Sequence, residues 1–164
     1  MHKLTVISTI VAATVFAASC GDTDTPLDPN APTTVHVVQV GIGLSPSTLV
    51  AQSVAHPICP SVPPFTTTLN LLVRNDGNVR LFVSTIRLRF VDRLGMQAPQ
   101  VTLPAPVPTT QFGSALIEAR DTRAFAIPFH FGCGTTRAGR ITVFVDMRDD
   151  RGMTQSREAS VDVE

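Results

Sequence analysis

Strict alternation of apolar and polar residues runs through most of the chain from Thr34 onward. Phe65, Thr67, Leu69, Leu71 and Val73 alternate with Thr66, Thr68, Asn70, Leu72 and Arg74. A period of two sends successive side chains to opposite faces, so this segment predicts a strand with one buried face. Asn75-Asp76-Gly77-Asn78 follows and predicts a hairpin turn, because Asp-Gly tolerates positive φ. Phe82, Ser84, Ile86, Leu88 and Phe90 are the predicted inward face of the next strand, with Arg87 and Arg89 outward. Phe125, Ile127, Phe129 and Phe131 form a third apolar face, opposite Ala124, Ala126, Pro128 and His130. Ile141, Val143, Val145 and Met147 form a fourth, opposite Thr142, Phe144, Asp146 and Arg148. Turns are expected at Asp92–Gly95 and Asp149–Gly152, and a last strand over Thr154–Glu164 with Ala159, Val161 and Val163 inward.

Weaker strand signals lie at Val35–Ile42, Leu49–Val54, Val101–Leu103 and Thr109–Phe112, while Ser114–Arg123 reads as a short helix or a strand. Pro128 cannot donate to a ladder, which places its strand at a sheet edge or a bulge. Seven to nine short strands with regular turns and no alternating helices predict an all-β fold, an antiparallel β-sandwich over residues 34–164. The stretches VGIGLSPSTLVAQS and VRNDGNVRLFVSTIRLRFVDRLG resemble the opening strands of bacterial immunoglobulin-like or fibronectin-like envelope domains. The resemblance covers about half the domain, rests on pattern alone, and lacks the core Trp of antibody-type domains. It implies an immunoglobulin-like layout.

The first residues follow another rule. Met1-His2-Lys3 is followed by fifteen uncharged residues, Leu4 to Ala18, the length of a signal-peptide core and too short to span a bilayer. Ala17-Ala18-Ser19-Cys20 then resembles the lipobox of a bacterial lipoprotein precursor, with Ala in place of the usual Leu. The resemblance covers residues 1–20. It implies that 1–19 is a cleaved signal peptide and that Cys20 becomes the lipid-bearing N-terminus; Gly21 after it favours the outer membrane. Residues 20–33 read as an acidic, proline-containing tether, with Asp22, Asp24 and Asp28 and no base.

Charge narrows the partners. The 164 residues hold 13 Lys+Arg and 13 Asp+Glu, but Lys3 is in the leader, so the domain carries 12 Arg against 10 acids. That excess is too small for a nucleic-acid surface. Arg87 and Arg89, with Arg74 on the expected hairpin partner, predict a basic interaction face that also carries Leu72, Leu81, Val83 and Val91. Its expected partner is an envelope protein or polysaccharide, beside the membrane that holds the lipid. The chain has no Tyr or Trp, which argues against tight glycan binding.

With Cys20 lipidated, Cys59 and Cys133 remain as an even pair, which in an oxidising compartment predicts a disulfide. The alternative is metal handling: His56-x-x-Cys59 and His130-x-x-Cys133 have the ligand types of a Cys₂His₂ tetrahedron. Asp146, Asp149 and Asp150 lack the spacing of a calcium loop. Gly43-Leu44-Ser45-Pro46-Ser47 lacks the closing glycine of a nucleophile elbow, and Gly41-Ile42-Gly43 fails as a dinucleotide fingerprint. No paired carboxylates stand out. The sequence therefore predicts a non-enzymatic module without a cofactor.

Overall fold

The structure, a computed structural model, describes residues 35–105 and 107–164. The expected leader, Cys20 and the tether lie outside the described residues. Val35–Glu164 forms one compact unit. Along the chain come β1 (Val40–Ser45), β2 (Thr48–Leu49), β3 (Gln52–Ser53), β4 (Phe65–Asn75), β5 (Leu81–Asp92), β6 (Val101–Pro104), α1 (Val107–Phe112), β7 (Leu116–Ile117), β8 (Thr122–Phe131), β9 (Gly139–Asp149) and β10 (Thr154–Val163).

These strands make two sheets. In the first, β4 pairs with β1 and β3 along one edge and with β8 along the other, from Phe65 opposite Phe131 to Arg74 opposite Thr122. In the second the order is β2-β10-β9-β5-β6, with β7 also on β5. All pairs are antiparallel except β2 with β10, which run parallel through Thr48–Asp162 and Leu49–Val163. The arrangement β1-β4-β8 against β10-β9-β5 is the immunoglobulin-like layout, two antiparallel sheets enclosing one core. The inward residues of β4, β5, β8 and β9 fill that core, among them Leu69, Leu71, Ile86, Leu88, Phe125, Ile127, Val143 and Val145.

The strand number comes to ten among the described residues, above the expected seven to nine, because three elements have only two residues. The expected strand at Leu49–Val54 is split between the sheets. Leu49 is buried beside β10, Val50 points out, and Ala51 turns inward. Backbone bonds to Glu164 hold that crossing on both sides: the Ala51 N–H donates to the Glu164 carbonyl, and the Glu164 N–H to that of Leu49. Thr109–Phe112 falls in α1, a helix rather than a strand. Pro108 explains the difference, since it has no N–H for a ladder yet fits a first helical turn.

The hairpin expected at Asn75–Asn78 is instead a crossing from one sheet to the other: β4 and β5 share no ladder. Asn75, fully buried, directs it. Its Nδ2 donates to the carbonyls of Val79 (2.7 Å) and Glu118 (3.0 Å), and its Oδ1 accepts from the Gly77 N–H (3.1 Å). Gly77 is forced at the same crossing, because a Cβ there would meet the Val37 carbonyl at 2.2 Å.

The second correction is in β5. Its register against β9 shifts between Val83 and Thr85, a β-bulge. A bulge exchanges the two faces of a strand. Leu81 and Val83 are therefore buried, with Ile86, Leu88 and Phe90, while Phe82 is 38% exposed. Ser84 sits at the bulge and donates its hydroxyl to the Asp146 carbonyl (2.9 Å).

Candidate functional site

The outer face of the β10-β9-β5 sheet carries the most organised polar chemistry of the fold. Cross-strand register places Arg87 opposite Phe144, Arg89 opposite Thr142, and Thr85 opposite Asp146. From the other side β10 sets Ser156 beside Asp146, Glu158 beside Phe144 and Ser160 beside Thr142. All these positions are outward by alternation, so a charged row lies over an apolar floor.

Phe144 is the centre of the row. The guanidinium carbons of Arg87 and Arg89 lie 5.5 Å and 5.2 Å from its ring centroid. The ring quadrupole attracts both cations and holds them side by side where they would otherwise repel. One Arg87 terminal nitrogen donates to both carboxylate oxygens of Asp146, at 3.2 Å and 3.0 Å. Ser156 also donates its hydroxyl to Asp146. Arg89 has no such partner: among the described residues no carboxylate pairs with it. The Nε atoms of Arg87 and Arg89 are shut off from water without an acceptor. A groove of about 270 Å³ beside the ring is lined by Arg87, Phe144, Ser156, Arg157 and Glu158. The arrangement can offer a fixed guanidinium, next to an aromatic ring, to a carboxylate or another planar anion.

Arg74 does not belong to this face. It lies on the outer side of the other sheet, on β4, and pairs with Asp76 at 2.9 Å. Leu72 lies beside it on that sheet, and Leu81 and Val83 are in the core; only Val91 stays with Arg87 and Arg89. The separation follows from the crossing at Asn75, which sends β5 to the opposite layer. Sequence reasoning missed Phe144 and Asp146 as members of the site. An aromatic ring on the polar side of an otherwise regular alternation was the available signal.

Cys59 and Cys133 form a disulfide, with Cα atoms 5.7 Å apart. It joins the loop before β4 to the loop after β8. Because the two sulfurs are bonded to each other, the alternative Cys₂His₂ site of His56, Cys59, His130 and Cys133 lacks its two thiolate ligands. His56 lies in the exposed loop with φ 53°, and His130 points outward on β8. Among the described residues no group of three or more His, Cys, Asp or Glu side chains is placed to hold a metal ion. Asp146 and Asp149 diverge as well, Asp146 outward to Arg87 and Asp149 inward to its own turn.

That turn has a twin. Asp92-Arg93-Leu94-Gly95-Met96 and Asp149-Asp150-Arg151-Gly152-Met153 share one design. Asp92 Oδ1 accepts from the N–H groups of Leu94 (2.9 Å) and Met96 (2.8 Å), and Asp149 Oδ1 from those of Arg151 (2.9 Å) and Met153 (2.8 Å). Gly95 and Gly152 both take φ 84°. Burial pushes the Asp92 carboxyl up, but backbone N–H groups of Met96, Thr136 and Leu94 outweigh it and hold it below the ordinary value.

No protein family and no curated protein matches the chain by sequence. Several solved structures are similar to it in part. The structural-genomics target SoR45 is 10% identical at a TM-score of 0.49, over 76% of this chain and 84% of that one. The ApaA protein of Bordetella pertussis is 11% identical at 0.47, over 77% and 93%. The sporulation control protein Spo0M of Bacillus subtilis is 12% identical at 0.40, over 79% of this chain and half of its own. Similarity this low says nothing about function.

Proposed function

We propose that this chain is a lipid-anchored cell-envelope protein, held in the outer membrane by Cys20, whose β-sandwich is a non-enzymatic binding or structural accessory module. One observation carries the reading. Of the three cysteines in the sequence, Cys59 and Cys133 are paired with each other within the fold, so that bridge does not call on Cys20, which stands directly after the apolar leader. A disulfide between exposed loops also suits an oxidising, extracytoplasmic compartment. Acyl chains on Cys20 would supply a stable anchor, since each buried CH₂ contributes about 0.8 kcal/mol and two or more chains hold where one does not. Contact with an envelope protein or polysaccharide runs through the Arg87–Phe144–Arg89 row.

The intact mass of protein extracted from membranes with detergent tests the anchor. Cleavage before Cys20 plus the mass of a diacylglycerol is the expected result, and an unmodified Cys20 overturns it. Co-purification from solubilised envelopes tests the face: R87E/R89E should lose the partner, and unchanged recovery removes these arginines from the reading.

A further inference from the structure

β8 is a ten-residue strand with a neighbour on one side: among the described residues it pairs with β4 and with no other strand. Hydrogen-bond parity shows which of its groups are left over. The Asn75 N–H donates to the carbonyl of Asp121, one step beyond the pair of Arg74 with Thr122. In an antiparallel ladder such bonded pairs recur at every second residue. β8 therefore bonds to β4 through Arg123, Phe125, Ile127 and Phe129. The even residues around β4 serve its other side, where the Asp76 N–H donates to the Gln39 carbonyl and the Val54 N–H to the Pro64 carbonyl.

It follows that Ala124, Ala126 and His130 turn their N–H groups away from β4, and Thr122, Ala124, Ala126, Pro128 and His130 their carbonyls. Among the described residues no group bonds to these atoms. The Thr122 N–H is engaged by the Asp121 carboxylate at 2.7 Å. All five residues are exposed. The other strand borders are short or occupied. β2, β3, β6 and β7 have two to four residues. β1 lies along β10, whose Arg157 donates from Nε to the Val40 carbonyl at 3.2 Å.

Natural sheets guard such an edge with proline, an outward charge or a bulge. On β8 the guard is Pro128, in the second half of the strand. From Thr122 to Ile127 the outward side chains are Thr122, Ala124 and Ala126, short and uncharged, and the pairing with β4 runs without a bulge.

Alternating free N–H and C=O groups are matched by another extended backbone. A foreign strand is selected by pockets for its alternate side chains, and the Ala124 and Ala126 methyls form none. A groove of about 310 Å³ on this sheet is lined by Gly41, Ile42, Gly43, Leu72 and Arg74 and reaches β8 only at Thr122. A cleft of about 100 Å³ meets β8 at His130 and Phe131, past Pro128. A second copy needs no pocket, because the edge is complementary to itself. About a two-fold axis at Ala124, that residue pairs with its own counterpart and Thr122 with Ala126. This register leaves each Pro128 opposite residue 120, before β8 begins, so the missing N–H costs no bond.

We propose that the first half of β8 is a homodimer edge, where two copies join antiparallel about Ala124 and the β1-β4-β8 sheet continues into that of the second copy. The Arg87–Phe144–Arg89 row lies on the outer face of the other sheet, so the dimer leaves it open and doubles it.

In the full chain, Ala124→Cys sets two thiols face to face at the axis, with Cα atoms about 5.5 Å apart, within reach of a disulfide. Ala126→Cys is also exposed, but its two copies stand roughly 14 Å apart along the strands, beyond that reach. Mild oxidation should link Ala124→Cys into a covalent dimer on non-reducing gels. Ala126→Cys should link no more than the native chain, which shares Cys20. Sedimentation gives the second readout. Ala124→Glu and Ala124→Lys should each weaken the dimer about fivefold or more, and an equal mixture of the two should restore it. Neither substitution touches a group bonded to β4, so both should melt with the native chain. Equal cross-linking at 124 and 126, or a native chain that sediments as a monomer at every concentration, overturns the proposal and leaves the edge to a foreign strand.

Discussion

Cys59 and Cys133 are 74 residues apart in sequence and bonded in space, just beyond the point where Phe65 of β4 faces Phe131 of β8. The bond closes off the ladder between those strands. Beneath it Phe131 packs on Phe90 (centroids 4.4 Å apart), Phe129 (5.4 Å) and Phe65 (6.0 Å). Loop-closure entropy for a ring of this length is worth roughly 4 kcal/mol. Cys59→Ser/Cys133→Ser should lower the unfolding free energy by about that amount in denaturant titration, with a loss under about 1 kcal/mol contradicting it.

Arg89 and Phe144 should be coupled. A double-mutant cycle of Arg89→Ala and Phe144→Ala, read by thermal unfolding, should give an interaction of about 0.5–1 kcal/mol at low salt. Arg89→Ala alone should cost less than about 1 kcal/mol, because the side chain is partly exposed. Its larger effect is expected on binding.

Two glycines in strands should respond with opposite signs. A Cβ on Gly139 would meet the Val91 carbonyl at 2.3 Å and both the Asp92 Cα and the Phe90 ring at 2.8 Å. Gly139→Ala should destabilise by about 1–3 kcal/mol. A Cβ on Gly43 meets nothing within 4 Å. Gly43→Ala should stabilise by about 0.5–1 kcal/mol, since it removes unfolded-state freedom without a clash. Denaturant midpoints of the two variants check both signs.

Asp92 contributes to the acid limb of stability. The Asp92 carboxyl is held below its ordinary value in the fold, so its contribution is complete above the unfolded-state pKa of about 4 and fades as pH falls through the folded one. The melting-temperature gap between the native chain and Asp92→Asn should be widest near neutral pH and shrink in acid. A gap that is constant across that window contradicts the linkage. The twin turn is tested by stability alone: Asp149→Ala, which removes the acceptor of two part-buried N–H groups, should cost about 0.5–1.5 kcal/mol.

The long strands were legible in the sequence, because alternation over ten or more residues records one dry and one wet face. Pro128 on an edge strand was legible for a similar reason: a residue without an N–H is tolerated only at such an edge or at a bulge. The short elements were not legible. Thr48–Leu49, Gln52–Ser53 and Leu116–Ile117 span too few residues to show a period, and α1 has less than two turns. The bulge left a trace in three successive apolar residues, Leu81-Phe82-Val83, followed by Ser84-Thr85. A regular alternation cannot absorb them, and the faces exchange there.

The sequence by itself determined which side of β4, β8 and β9 is dry, which turns are braced by Asp and Gly, and that the parity of the cysteines allows one pair. These are local properties, set by side-chain chemistry within a few residues. Only the tertiary structure decided which layer each strand joins. It placed Arg74 on the sheet opposite Arg87 and Arg89, brought Phe144 between those two arginines, and left one side of β8 without a neighbouring strand among the described residues. A strand's pattern reports that a face is buried but not which neighbour buries it, so groupings that depend on strand order emerge only when the two sheets close on their shared core.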